Sequence, residues 1–411
     1  MLDPFRWAEV RRVERELTVR YVEAIDAVLA GLSTDNFQAA VSLAQLPELA
    51  CGYEHIKLAN VENYREALST ALQVFRQSEP QTQRRSVRQY DLAMTDTHAS
   101  GHAHDELGPS LLEEVAAGVY SYVQPDGTWF INNTGFIVGN DAVISIDATS
   151  TERRTKAYLS AIASVTPHPV TMLVNTHHHA DHTHGNYLFA DATVISSAPC
   201  REVMLAAGIP DYRAVFPGVK WGDLTFKAPD LTFSGSTTLH LDDMTVELHE
   251  LGYVAHTNGD VIAWVPERKV LFAGDLVFHG GTPFTLFGSI TGTLEALDLL
   301  QSYDADVIVP GHGPAFGGDQ IAVALDGQRA YLKFVQASAA TGIAAGLTPL
   351  EQAQATDLGE FATLTDTERL AGNLHVAYRE AAPAGYEWPG FEVAIMDMVK
   401  FNGGKPPRCV A

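Results

Sequence analysis

Three hydrophobic patterns follow one another along this chain. In the first, apolar residues recur at helical spacing, at Val10, Val13, Leu17, Tyr21, Ala24 and Val28. Asp3-Pro4 supplies an N-cap and a first-turn proline, and Gly31 ends the segment. Further helices are predicted over about 33–45, stopping before Pro47, and about 61–76. In the second pattern, short apolar and β-branched runs each give way at once to polar residues, as buried strands do at their ends. These predicted strands fall at 171–174, 245–250, 261–265, 270–273 and 306–309. In the third, apolar and charged residues alternate at helical spacing over 321–345, 349–355 and 367–381. The tail 401–407, with two glycines and two prolines, is expected to be extended and to reach a neighbour.

The α/β reading therefore has four parts: a helical unit over 1–76, a linker over 77–109, a strand-rich domain over 110–320, and C-terminal helices and tail over 321–411. The linker is polar and rich in breakers, among them Ser78-Glu79-Pro80 and Ser100-Gly101. Its His98, His102 and His104 are expected to be solvated.

The strand ends carry the chemistry. After 171–174 comes Asn175-Thr176-His177-His178-His179-Ala180-Asp181-His182, four imidazoles and a carboxylate within six positions. Neutral imidazole and carboxylate are ligands for borderline divalent metals. His256 lies in a glycine-containing turn between two predicted strands, Asp275 follows 270–273, and His312 follows 306–309 in Pro310-Gly311-His312-Gly313-Pro314. Each of these ligands is expected just past the end of a strand, where glycine allows a sharp turn and leaves room for an ion. His178 is expected to point away, and His184 to support the ligands rather than join them.

From about 106 to 320, most clearly over 114–316, these motifs resemble the metallo-β-lactamase superfamily. Asn133-Thr134-Gly135-Phe136-Ile137-Val138 and Val143-Ile144-Ser145-Ile146-Asp147 look like its opening strands. The resemblance implies an αββα sandwich, here with an N-terminal helical appendage and C-terminal helices covering the metal cleft. It implies two divalent ions, zinc foremost, with iron and manganese accepted by the same ligands. His177, His179 and His256 would hold the first ion; Asp181, His182 and His312 the second; Asp275 would bridge them. The implied reaction is hydrolysis by metal-bound hydroxide, with Asp181 also orienting the nucleophile. A bridging aspartate resembles the glyoxalase II, lactonase and thioesterase branches rather than the true β-lactamases. The expected substrate is an ester, thioester or lactone of a small apolar or aromatic acid. The alternatives are a non-hydrolytic cyclase or lyase and a mononuclear iron enzyme of the persulfide dioxygenase type.

The segment after Asp275 sharpens the expectation. His279-Gly280-Gly281 to Phe287-Gly288 is bounded by glycines and predicted to close as a lid, with His279 as proton donor. Phe278, Phe284 and Phe287 would give the substrate an apolar wall. Lactonases of this fold often carry tyrosine where this chain has Phe278. His375 on the last helix is expected to be structural.

Charge and composition narrow the partners. Fifty acidic residues against 27 basic ones give a net charge of −23, which argues against a nucleic-acid partner. No signal-type or membrane-length apolar run is present, which predicts a cytoplasmic protein acting on a small molecule. Cys51, Cys200 and Cys409 are too scattered for a disulfide framework. The N-terminal unit has its own resemblance. Leu2-Asp3-Pro4-Phe5, Leu29-Ala30-Gly31-Leu32, Leu46-Pro47-Glu48 and Gly52-Tyr53-Glu54-His55-Ile56-Lys57 look like the tail of indolepyruvate ferredoxin oxidoreductases. That resemblance implies a helical appendage for docking or homo-oligomerisation, and no activity.

A chain beginning near Met94 should accordingly bind metal as the full chain does, with any loss confined to assembly or stability. Metal content and turnover measured on both lengths check this. Intact fold and metals with all turnover lost would instead give the N-terminal unit a part in the active site.

Overall fold

The computed structural model describes residue 28, residue 108 and residues 110–411 other than 214, 383 and 384. The predicted N-terminal helices and the linker lie outside these residues, Val28 and Gly108 apart.

Two sheets form the centre. The first contains β1 (Leu111–Ala116), β2 (Val119–Val123), β3 (Thr134–Val138), β4 (Val143–Ile146), β5 (Val170–Val174), β6 (Thr193–Ser197) and β7 (Leu231–Phe233), in that spatial order. It is antiparallel from β1 to β4 and parallel from β4 to β7. The second contains β8 (Ser236–Leu241), β9 (Met244–Glu250), β10 (Val261–Val265), β11 (Val270–Phe278), β12 (Val307–His312) and β13 (Phe316–Gly317), ordered β13-β12-β11-β10-β9-β8. Within it β11 and β12 are parallel and the other pairs antiparallel.

Strand patterning explains the stacking. In β9, Met244, Val246 and Leu248 are buried while Thr245, Glu247 and His249 face outward, the period-two signature of a half-covered strand. The inward set meets Ile137, Ile144, Ile146 and Val174 of the first sheet in one core. Every residue of β11 is buried, because helices cover its other face.

Those helices are α1 (Glu152–Val165), the single turn α2 (Ala180–Thr183), α3 (Ala198–Ala207), α4 (Ile290–Ser302), α5 (Gln320–Ala345), α6 (Pro349–Ala355), α7 (Arg369–Ala381) and α8 (Phe391–Phe401). α1 starts where the Thr151 side chain accepts from the Arg154 amide, and it packs Tyr158 and Ile162 on the outer face of the first sheet. α4, α5 and α7 cover the second sheet through Leu297, Leu325, Leu332 and Leu374. The layers run helix, sheet, sheet, helix, the αββα sandwich with a helical C-terminal part.

Three expectations change. β11 continues to Phe278 and β12 includes His312, so Asp275 and His312 sit within strands, not beyond them. The β11–β12 register shifts between Phe272 and Gly274 and again before Phe278, and this irregularity turns Asp275 out of the regular pleat. The tail is not extended throughout: residue 401 is helical and 402–404 form a turn. Phe401 ends α8, a helix the sequence reading missed, and residues 408–410 fold back onto the domain. There Arg408 holds Asp126 with two bonds of 2.7 and 2.6 Å, the Cys409 thiol donates to the Trp129 carbonyl, and Arg154 donates to the Val410 carbonyl. Cys200 and Cys409 are free thiols. No helix among the described residues is long and apolar enough to cross a membrane.

Candidate metal centre

Four chain segments converge at one edge of the sandwich. The chain leaves β5, bends through residues 176–178, which include His177, runs extended at His179, and turns into α2, which carries Asp181 and His182. The loop between β9 and β10 brings His256. The Asp260 carboxylate braces that loop by accepting from the Thr257 amide and hydroxyl, and burial pushes Asp260 up to about 7. β11 brings Asp275 and β12 brings His312. Two glycines make space: a Cβ on Gly311 would lie 1.9 Å from Asp275 Oδ1, and one on Gly274, at φ +51°, would lie 2.8 Å from Thr176 Oγ1.

The result is two donor groups that share Asp275. His177, His179, His256 and Asp275 form one; Asp181, His182, Asp275 and His312 form the other. Within each, the ligand atoms lie within 4.8 Å of one another. Asp275 reaches His182 Nε2 at 3.0 Å, His256 Nε2 and His312 Nε2 at 3.3 Å, and His177 Nε2 at 3.8 Å. Asp181 lies 3.2 Å from His312 Nε2 and 3.7 Å from His182 Nε2.

The outer ring nitrogens are anchored, which aims the inner ones. His182 Nδ1 meets Asp147 Oδ2 at 2.8 Å, and Thr176 donates its amide and hydroxyl to the same carboxylate, both at 2.7 Å. With its proton committed to Asp147, the Thr176 hydroxyl accepts from His177 Nδ1 at 3.0 Å. Asp147 thereby orients one imidazole of each group, directly or through Thr176. His256 Nδ1 donates to the Phe284 carbonyl at 2.7 Å and His312 Nδ1 to the Gly127 carbonyl at 3.2 Å. Sequence reading quoted Asp147 only as a strand end. The available signal was an acid closing the apolar run Val143–Ile146, the same pattern that singled out Asp275.

The donor chemistry fits divalent ions. Nε2 of His177 and His182 and Oδ1 of Asp275 are buried without a hydrogen-bond partner, and His179 turns Nδ1 toward His256 Nε2 at 2.9 Å. Burial holds His177 and His179 well below the usual imidazole range and His256 at about 4, so these rings are neutral and able to ligate. Burial is also the largest influence on His312 and would lower it. Asp275 and Asp181 together outweigh it and lift His312 to about 9. The second group thus draws positive charge to itself, a role that a cation fills in place of a proton.

A cavity of about 570 Å³ opens on this edge. His179, Asp181, Asp275 and His312 form part of its wall. Most of the remainder is apolar, with Trp129, Phe216, Phe278, Phe284, Phe287 and Phe391 prominent. Phe278 stacks on His312 with ring centroids 4.9 Å apart, and Phe287 stands edge-on to His179 at 5.2 Å. All three phenylalanines singled out in the sequence reach the cavity. Trp129, Phe216 and Phe391 were missed, since they lie in loops or on α8, far from the ligand motifs.

His279 is not brought to the cavity. Its Nδ1 donates to the Pro314 carbonyl at 2.8 Å and its ring packs on Phe316, so it faces away from Phe278, its neighbour in the chain. The lid expectation also changes. The Thr282 amide donates to the Thr365 carbonyl, Arg369 donates to the Thr282 carbonyl, and Asn373 holds residues 283 and 285. Gly288 is pressed against the β9–β10 loop, where a Cβ would lie 2.0 Å from the Ala255 carbonyl, so it serves close packing rather than hinging. His178 and His184 line the cavity and join neither donor group; His184 packs against Tyr212 and Trp221. His375 bonds Tyr386 and Asp397, away from the ligands.

Known proteins resemble this chain over the same span. Residues 127–312 match the metallo-beta-lactamase superfamily model, and the chain carries a domain of that superfamily. Residues 1–70 match a family of unknown function, DUF6537. The acyl-coenzyme A thioesterase MBLAC2 of Bos taurus is 26% identical over 165 residues, 36% of this chain and 58% of its own length. The linear primary-alkylsulfatase of a Pseudomonas strain is 22% identical over 250 residues, 51% of this chain and 47% of its own. The hydroxyacylglutathione hydrolase of Rhodospirillum rubrum is 29% identical over 140 residues, 34% and 46% respectively. The chain thus spans about half the length of the curated relatives it matches. A solved metallo-beta-lactamase from Pontibacter korlensis aligns with a TM-score of 0.46 and 20% identity, covering 55% of this chain and 99% of that one.

Replacing Asp275 tests whether the two groups share it. Asp275→Asn keeps the shape but removes the charge that faces four imidazoles. Elemental analysis of the purified variant should find at least one of two ions lost, with circular dichroism unchanged. Two ions retained would remove Asp275 from the shared position.

Proposed function

We propose that this chain is a hydrolase that uses two divalent ions, zinc foremost, to cleave an ester or thioester whose acyl part is apolar. One observation carries the reading: two donor groups joined by Asp275 form part of the wall of a 570 Å³ cavity whose other walls are largely aromatic and aliphatic. The relatives add support, since their names specify acyl-coenzyme A, hydroxyacylglutathione and linear alkyl substrates. Two groups sharing a carboxylate favour a pair of ions over the mononuclear iron alternative.

His177, His179 and His256 would hold one ion, Asp181, His182 and His312 the other, with Asp275 between them. When bound, such a pair polarises a carbonyl and lowers the pKa of water toward neutrality. Asp181 would orient the attacking water and accept its proton, a role supported by its position on the cavity wall and in the second donor group. Phe278, Phe284 and Phe287 pack the acyl group and exclude bulk water from the reacting carbonyl. His279 has no part in this account, because its ring is turned to Pro314.

A thioester series of rising acyl length tests the proposal. kcat/KM should climb from acetyl to medium-chain substrates, chelation should abolish turnover, and zinc should restore it. Solvent oxygen from labelled water should appear in the acid product, which a cyclase or lyase would not give. Phe284→Ala should raise KM for the long substrates by roughly tenfold, the ratio that ~1.4 kcal/mol of lost apolar contact produces, and leave acetyl thioester turnover almost unchanged. Equal losses on short and long substrates would show that the cavity does not hold the acyl chain.

A further inference from the structure

The C-terminal helix α7 reaches the metal centre without touching it. Asn373 is fully buried on α7 and brackets Phe284 from both sides. Its Oδ1 accepts from the Thr285 amide at 3.0 Å and the Thr285 hydroxyl at 2.9 Å. Its Nδ2 donates to the Pro283 carbonyl at 2.7 Å and lies 3.2 Å from the Tyr331 hydroxyl on α5. One turn earlier on the same helix, Arg369 donates to the Thr282 carbonyl at 2.9 Å and lays its guanidinium 5.8 Å from the Phe284 ring centre. Four consecutive residues, 282–285, are therefore held by α7 or packed against it. The Phe284 carbonyl, at the centre of this clamp, accepts from His256 Nδ1 at 2.7 Å.

We infer that Asn373 is a positioning residue for the first metal ligand group. The inference rests on the two-ion reading above. The Phe284 carbonyl fixes His256 as the Nδ1–H tautomer and sets the plane of its ring, which turns the unprotonated Nε2 toward the ligand group, 2.9 Å from His179 Nδ1. A carbonyl in a loop cannot do this unless the peptide is held. The amide of Asn373 supplies the hold, since it bonds the residue before Phe284 and the residue after it. The second group has no such dependence, because His182 is set by Asp147 and His312 by the Gly127 carbonyl. The Asn373 clamp thus acts on one of the two ions. It also joins two functions in one residue, because the Phe284 ring lines the cavity while its carbonyl serves His256.

The test reads metal affinity rather than turnover. Full-length wild type, Asn373→Ala and Tyr331→Phe are stripped of metal and titrated with zinc against a chromophoric chelator. Folded content is followed by circular dichroism. Asn373→Ala should weaken one of the two binding steps by about 10- to 100-fold, the usual scale for losing an outer partner of a ligating histidine, and leave the other within about twofold. Tyr331→Phe removes only the partner on α5 and should leave both steps unchanged, whatever it does to melting temperature. If Asn373→Ala does not fold, Thr285→Val removes one accepted bond and should weaken the same single step to a smaller degree. Equal weakening of both steps, or of neither, would overturn the role of Asn373. A wild-type chain that takes up no ion would overturn the two-ion reading itself, a result distinct from the loss of one step.

Discussion

One buried carboxylate organises the edge of this molecule where the two donor groups meet. Asp275 is 5% exposed and faces four imidazoles. Burial alone would keep it protonated, yet the imidazoles hold it well below the usual carboxylate range. A charge in that position is tolerable only with cations or charged partners on every side. The surrounding construction meets that demand. β11 bulges to turn Asp275 out, Gly311 yields the volume its oxygen occupies, and Asp147 sets His177 and His182 from behind. Removing any one of these leaves a charge without its compensation.

Much of this was legible in the sequence because the ligands are local to strand ends. His177, His179, Asp181 and His182 follow a recognisable apolar run, and glycines flank Asp275 and His312 where backbone and carboxylate come close. The αββα layering was implied by the family resemblance that these motifs carry. Less legible were the features that depend on strands pairing at a distance. β11 reads as ending at Ala273 because Gly274-Asp275 looks like a turn, whereas pairing with β12 carries the strand on to Phe278. α8 was missed because polarity does not follow burial along it: Phe391, Val393 and Met396 are exposed while Asp397 is buried. His279 was misplaced for a related reason. Proximity in the chain to Asp275 says nothing about where a ring turns once the strand has ended, and His279, just past β11, turns to the Pro314 carbonyl.

The division of labour between the two parts of the described body is chemical. Among the described residues, the strands, their loops and the single turn α2 present every candidate ligand, and all of these precede Gly313. The helices after it contribute no ligand to either group. They supply instead the hydrogen-bonding side chains of α7 and the apolar wall from α8, including Phe391, Ile395 and Met398. Changes in that C-terminal part can alter what the cavity admits while the ligand set stays intact, which suits a fold that hosts many reactions on one metal edge.

The returning tail has a consequence for the order in which the molecule assembles. Trp129 lines the cavity, and its carbonyl accepts from Cys409, a residue 280 positions further on. Arg408 reaches back 282 positions to Asp126. Contacts across such spans pay a large loop-closure entropy before they return any stabilisation, so they form after the local ones. The donor groups, drawn from residues 177–312, can gather before this last stitch is made. During folding, a metal-competent edge would precede a finished cavity, and selectivity for substrate would be the last property the chain acquires.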